Sequence, residues 1–87
     1  MDETEVLRRK LRFRAWHRGT REMDLLMGQF ADAHLNDFNA EELAQFSDML
    51  SENDPDIYDW YCGISVPPVN MMSRALQKFL VHQRIAT

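Results

Sequence analysis

The chain has 87 residues, a mass of 10.3 kDa and a net charge of −4, which allows one compact domain over residues 1–87 and excludes a multidomain enzyme. Its composition, 45% hydrophobic and 28% charged, is too apolar for a disordered chain and too polar for a membrane protein. A single cysteine, Cys62, suits a reducing compartment and the acidic residues at 2–5 are unlike a secretory signal, so we expect a cytoplasmic protein that does not insert in a membrane.

The first predicted element is a basic amphipathic helix over about residues 3–18. Leu7, Leu11 and Ala15 recur at i, i+4 and i+8, which is the spacing of one helix face. Gly19 follows at the position where a left-handed residue ends many helices. The apolar face is expected to be widened by Val6, Phe13 and Trp16.

Two further helices are predicted to form a hairpin. Thr20 is the expected N-cap of a helix over about residues 21–35. Asn39 and Glu42 have the spacing of a capping box at the start of a helix over about residues 40–51. The apolar stripes of this pair are Met23, Leu26, Met27, Phe30 and His34, then Leu43, Phe46 and Leu50.

The last two elements lie on either side of a proline pair. Asp54 as N-cap and Pro55 at the first helical position predict a two-turn helix that ends before Gly63. After the prolines, a last helix is predicted over about residues 69–84, with Val69, Met72, Leu76, Phe79 and Leu80 on its apolar face. Glycine and proline are read as punctuation between helices, so the fold is predicted to be all-α, a small bundle of about five helices.

Charge is strongly segregated along the chain. Residues 22–73 hold eleven acidic residues and no lysine or arginine. The pattern is compatible with internal charge pairing, a docking face for a protein, or a nucleic-acid patch on the first helix, and the acidic pI of about 5.2 disfavours nucleic acid. Seven of the ten basic residues lie together, with no acid among them: Arg8, Arg9, Lys10, Arg12, Arg14, Arg18 and Arg21.

The sequence contains no recognisable catalytic or metal site. His17, His34 and His82 are scattered, with neither HExxH nor CxxC spacing. There is no glycine-rich loop that would bind the phosphates of a nucleotide. Cys62, in an aromatic segment, is expected to be a small buried hydrophobic residue rather than a nucleophile. We therefore predict that the protein is not an enzyme and holds no metal or cofactor.

The stretch from Phe13 to Glu22 concentrates aromatic and arginine side chains around Gly19. One interpretation is a capped helix corner with an ordinary Arg18–Glu22 surface pair. The other is a protein interface, because a glycine lets a partner's backbone approach closely and guanidinium groups bind carboxylates or carbonyls.

Residues 18–22, RGTRE, resemble the RGxxE signature of the flavoprotein-assembly factors of succinate dehydrogenase. Residues 54–60, DPDIYDW, resemble the second landmark of that family, DPDxxxW. The spacing of the two motifs, the chain length and the order of the helices also match. The resemblance covers about residues 8–82.

This resemblance implies a non-catalytic assembly factor, or chaperone, in the bacterial cytoplasm. Such a factor binds the flavoprotein subunit of succinate dehydrogenase, and often that of fumarate reductase, and promotes covalent attachment of FAD to a histidine of the partner. FAD would be the partner's cofactor, and the factor itself is expected to be a monomer. By the resemblance, the contact surface would comprise Arg18, Gly19 and Glu22 with Phe13, Arg14 and Arg21 beside them, shaped or supported by Asp54 and Trp60.

Two other interaction roles stay open on the sequence. Family members have also been interpreted as toxin-neutralising proteins, a role that the acidic body of the chain could serve. The basic first helix could instead contact the phosphates of a nucleic acid, which would make binding strongly salt-dependent.

Overall fold

The computed structural model describes residues 2–82 of the chain. Over that range there are no strands, and the predicted all-α fold of five helices is confirmed. None of these helices is long and apolar enough to cross a membrane. Two 3₁₀ turns, Leu35–Asp37 and Val69–Met71, precede α3 and α5. The helices are α1 (Glu3–Trp16), α2 (Arg21–His34), α3 (Ala40–Leu50), α4 (Asp54–Cys62) and α5 (Arg74–Leu80).

The helices pack around one apolar core with Phe30 of α2 at its centre. The Phe30 ring lies 6.0, 5.6 and 5.4 Å from the rings of Phe38, Phe46 and Phe79, measured between centroids. The aromatic contacts therefore join α2 to α3, α5 and the segment between α2 and α3. The apolar members of the predicted stripes are confirmed by their burial, whereas His34 is half-buried. The buried members are Met23, Leu26, Met27, Phe30, Leu43, Phe46 and Leu50.

A glycine inside α2 allows α1 to pack closely against it. A Cβ atom placed on Gly28 would lie 2.2 Å from Trp16 Cδ2, so only glycine leaves room for the indole. Trp16 Nε1 also donates a hydrogen bond to Asp32 Oδ1 at 3.3 Å. The prediction that glycines fall only between helices is therefore wrong at Gly28. The close contact determines where the end of α1 lies on α2.

Helix α1 ends two residues earlier than predicted. His17 is its C-cap, and the backbone N–H of Arg18 donates to Asp24 Oδ1 at 2.5 Å instead of continuing the helix. The expected apolar face is also too wide, since Val6 and Phe13 are 38% and 64% exposed. Helices α2 and α3 end within one residue of their predicted ends.

The last helix is shorter than predicted. The range 69–84 begins with the 3₁₀ turn, and α5 starts only after Ser73, whose extended backbone and side-chain bond to the N–H of Leu76 make it the N-cap. An N-cap lies outside the helix, so Ser73 separates the two pieces. Val69 and Met72 are 91% and 44% exposed, and their predicted burial is wrong. The predicted end of this helix lies outside the described residues.

Candidate functional site

The corner between α1 and α2, residues 17–20, is fixed by hydrogen bonds to its backbone. Gly19 has a φ of 127°, a conformation that favours glycine. Thr20 is the N-cap of α2 as predicted, because its hydroxyl accepts a hydrogen bond from Met23 N at 3.2 Å. Asp24 Oδ1 accepts from the backbone nitrogens of Arg18 and Gly19 at 2.5 and 3.3 Å. One carboxylate thus holds the two peptide groups that make the turn.

The Arg18 side chain ties this corner to the far side of the bundle. Its Nε donates to Asp54 Oδ1 at 2.8 Å. Its terminal nitrogens donate to the carbonyl oxygens of Leu50 and Glu52 at 2.5 and 2.7 Å. The side chain is only 10% exposed, so its charge-assisted bonds are directed inward. One interpretation of the sequence made Arg18 part of an ordinary surface pair, whereas the structure buries its side chain against Asp54.

The start of α4 explains why Asp54 is available to Arg18. The N-cap of α4 is Asn53, not Asp54 as predicted, and the Asn53 side chain accepts from Asp56 N at 3.0 Å. Asp54 is therefore the first residue of the helix, where the helix dipole favours a carboxylate. The Arg18–Asp54 ion pair joins residues that are 36 positions apart, one from RGTRE and one from DPDIYDW.

A shallow groove lies beside this ion pair, and we call it the corner groove. Its volume is about 400 Å³, its lining is chiefly apolar, and Tyr58 at its edge is 37% exposed. A hydrogen bond with Cys62 raises the pKa of the Tyr58 phenol. The groove is lined by Thr20, Glu22, Met23, Asp54, Pro55 and Tyr58.

Cys62 is exposed, which makes its predicted burial wrong. The inward side of the short helix α4 is occupied by Ile57 and Trp60, and position 62 falls on its outer side. Within residues 2–82, no three His, Cys, Asp or Glu side chains are grouped so that they could hold a metal ion.

Comparison with known proteins identifies the family of the chain. The family described as "Flavinator of succinate dehydrogenase" matches residues 9–83. The chain belongs to this family. The family expected from the two sequence motifs is thereby confirmed.

Relatives in this family come from bacteria and from mitochondria. The FAD assembly factor SdhE of Acetobacter pasteurianus is 37% identical over 84 residues, which are 97% of this chain and 77% of that protein. The mitochondrial succinate dehydrogenase assembly factor 2-B of Drosophila mojavensis is 34% identical over 80 residues, 90% of this chain and 51% of its own length. The mitochondrial succinate dehydrogenase assembly factor 2 of Dictyostelium discoideum is 37% identical over 60 residues, which are 69% of this chain and 43% of that protein. The chain thus spans about half of these mitochondrial relatives.

The site residues expected for this flavinator family fall into two groups. The outward group consists of Phe13, Arg14, Gly19, Arg21 and Glu22, all of which are exposed. The inward group consists of Arg18, Asp54 and Trp60, which are 10%, 20% and 8% exposed. The structure brings Arg18 and Asp54 together at the corner, whereas Trp60 lies in the core and Phe13 and Arg14 line a neighbouring surface of α1.

Three residues that hold this site were not predicted to do so. Asn53 carried a signal, since asparagine is a preferred N-cap and precedes an Asp-Pro pair. Gly28 also carried one, because a glycine inside a helical pattern often marks close packing. Asp24 lies in the first turn of α2, where the helix dipole favours an acid, but nothing in the sequence indicates that its carboxylate bonds to the corner backbone.

Proposed function

We propose that this protein binds the flavoprotein subunit of succinate dehydrogenase and promotes covalent attachment of FAD to that partner. The observation that carries the proposal is the Arg18–Asp54 ion pair of 2.8 Å, which joins the two motifs in one corner. Membership of the flavinator family supports it. So does the similarity to a bacterial protein named as a FAD assembly factor.

The corner offers a preformed surface for such a partner. Within residues 2–82, no heavy atom beyond those of Gly19 and its two chain neighbours lies within 4 Å of the position that a Cβ would take on Gly19, so a partner's backbone can approach the glycine closely. Arg21 and Glu22 are exposed next to it and can form charge-assisted hydrogen bonds across an interface. Because Arg18 holds the corner from inside, the surface loses little conformational entropy on binding.

On this proposal, the factor acts on the partner's conformation and supplies no catalytic residue. A protein that binds one conformation preferentially raises its population in proportion to the difference in affinity. The favoured conformation would hold the acceptor histidine against the flavin, which lowers the entropic barrier to their reaction. FAD stays with the partner, and this chain binds as a monomer.

The proposal includes the flavoprotein of fumarate reductase as a second client and the bacterial cytoplasm as the place of action. Both are implied by the family resemblance. The identity of 37% to the Acetobacter relative supports a bacterial setting.

The test is covalent flavin on the succinate dehydrogenase flavoprotein subunit, read as in-gel fluorescence after denaturation. We expect the fluorescence to rise when the chain is added and to stay at background with Glu22→Ala. Glu41→Ala is the matched control, because Glu41 is also an exposed glutamate in the first turn of a helix. Flavin attachment that does not depend on the chain would contradict the proposal. An equal loss of flavin fluorescence with Glu41→Ala would show that the corner has no specific role in flavin attachment.

A further inference from the structure

Part of the basic segment of α1 is bonded to other parts of the fold. Arg8 donates to the carbonyl oxygens of Leu35 and Phe38 at 2.9 and 3.0 Å. Arg12 forms an ion pair with Asp32 at 3.2 Å. Internal charge pairing, one of the three interpretations of the charge pattern, is therefore confirmed for Arg12, as it is for Arg18 with Asp54.

Another part of the same segment faces outward, and its positive charges are not paired with acidic side chains. Within residues 2–82, the side chains of Arg9 and Lys10 form no hydrogen bond or ion pair. Arg14 donates to the hydroxyl of Ser47 at 3.3 Å, which is a neutral acceptor. Three positive charges thus remain on one helix of a protein whose net charge is −4.

An exposed aromatic ring lies among these charges. Phe13 is 64% exposed, and its ring stacks on His17 with centroids 4.0 Å apart and an angle of 18° between the ring planes. His17 Nδ1 lies 2.7 Å from the carbonyl oxygen of Phe13, which holds the imidazole in place. A ring held in one orientation loses little entropy on binding and is well suited to anchor an interface.

These residues form one surface, which we call the α1 outer face and which consists of Arg9, Lys10, Phe13 and Arg14. Their spacing of i, i+1, i+4 and i+5 places them on adjacent turns of the same side. Between them lies a shallow groove of about 410 Å³ with a chiefly apolar lining. The face therefore combines an apolar floor with a positively charged rim.

We infer that the α1 outer face docks an acidic segment of the flavoprotein partner, in which an apolar side chain flanked by carboxylates covers Phe13. The inference rests on the proposed function for the identity of the partner. The rim selects carboxylates because unlike charges steer association and form charge-assisted hydrogen bonds. The groove selects an apolar side chain because it offers apolar surface to bury. A nucleic acid fits less well, since the acidic body of the chain repels a polyanion.

The experiment measures association and dissociation rates on the immobilised flavoprotein subunit at about 50 mM and about 500 mM salt. The double variant Arg9→Gln/Lys10→Gln is expected to lower the low-salt association rate about tenfold and to flatten its salt dependence. Asn70→Glu/Gln77→Glu is the matched control, because it changes the net charge equally at exposed positions outside α1. We expect its rates to stay within about twofold of wild type.

Phe13→Ala tests the apolar half of the inference on the same surface. Because Phe13 is exposed, its removal should leave the thermal unfolding midpoint nearly unchanged. We expect the dissociation rate from the flavoprotein to rise about tenfold or more, as for an interface anchor.

Three results would overturn the inference. Wild-type rates in both Arg9→Gln/Lys10→Gln and Phe13→Ala would overturn it and leave the proposed function standing. A wild-type chain that does not bind the flavoprotein would overturn the proposed function and this occupant with it. Competition by an oligouridylate that is lost in Arg9→Gln/Lys10→Gln would show that the face takes phosphates instead.

Discussion

The two connections that contain a left-handed glycine are held in different ways. The α1–α2 corner is short, and the side chains of Arg18 and Asp24 bond its backbone to α2, the end of α3 and the start of α4. The connection between α4 and α5 spans residues 63–73 and begins at Gly63, with a φ of 77°. Its first bonds are backbone bonds, from Ile64 N and Ser65 N to Asp59 O at 2.9 and 3.4 Å.

The surfaces of the two connections differ as well. The longer one exposes apolar side chains, since Ile64, Val66 and Val69 are 71%, 85% and 91% exposed. The corner exposes charged residues and a glycine while its central cation, Arg18, is buried. The difference teaches that side chains can fix a turn by bonding to groups distant in sequence. The turn that is held in this way is the one that carries the RGTRE motif.

The largest expected effect is at Arg18. Arg18→Ala leaves Asp54 without its partner and two carbonyl groups without their donors, so we expect the free energy of unfolding to fall by about 3 kcal/mol. The measurement is urea denaturation. Arg9→Ala is the control, because an exposed arginine without a partner should cost less than about 0.5 kcal/mol. Similar losses in the two variants would show that the Arg18 bonds do not hold the corner.

Alanine substitutions at Gly19 and Gly63 compare the backbone conformations of the two connections. In the described part of the chain, a Cβ at Gly19 or Gly63 would meet no atom within 4 Å apart from those of adjacent residues, so the expected cost comes from the dihedral angles. Gly19→Ala at a φ of 127° should cost about 1–3 kcal/mol. Gly63→Ala at 77° lies in the ordinary left-handed region and should cost about 1 kcal/mol. Thermal unfolding of both variants measures the difference. A larger loss of stability in Gly63→Ala than in Gly19→Ala would show that the backbone is more strained for alanine at position 63.

The smallest expected effect concerns α5, the helix that follows the longer connection, where Lys78 donates to Glu42 of α3 at 2.9 Å. This hydrogen bond and a second from Asn39 N lower the pKa of Glu42 below its ordinary value of 4.5. A carboxyl with a lowered pKa in the folded state stabilises the fold above its ordinary pKa. That stabilisation is lost as the pH falls through 4.5 towards the folded-state pKa.

Glu42→Gln should therefore lower the free energy of unfolding at neutral pH by about 1 kcal/mol. The variant should also lose less stability than wild type between about pH 5 and about pH 3. Urea denaturation at each pH measures both quantities. Glu41→Gln is the control, since Glu41 is exposed in the same helical turn and should keep the wild-type pH profile. A wild-type profile in Glu42→Gln would exclude the lowered pKa as a source of stability.

Local signals predicted the helices well where their caps and their apolar periods agreed. Thr20 caps α2, and Asn39 with Glu42 forms the capping box of α3, because such caps depend on residues only three positions apart. The predicted start of the last helix was wrong because the apolar period continues through Ser73, which is the N-cap of α5 and therefore lies outside the helix. Periodicity alone does not distinguish a helix from a 3₁₀ turn followed by a cap.

The sequence by itself determined the helical class, most helix starts and the family, because caps, periodicity and short motifs are local patterns. Only the tertiary structure decided that Arg18 is buried against Asp54, that Gly28 receives the Trp16 ring and that Phe13 is exposed. These outcomes depend on which helix faces lie against each other. A one-dimensional pattern does not contain that information, because the residues that meet at the corner are up to 36 positions apart.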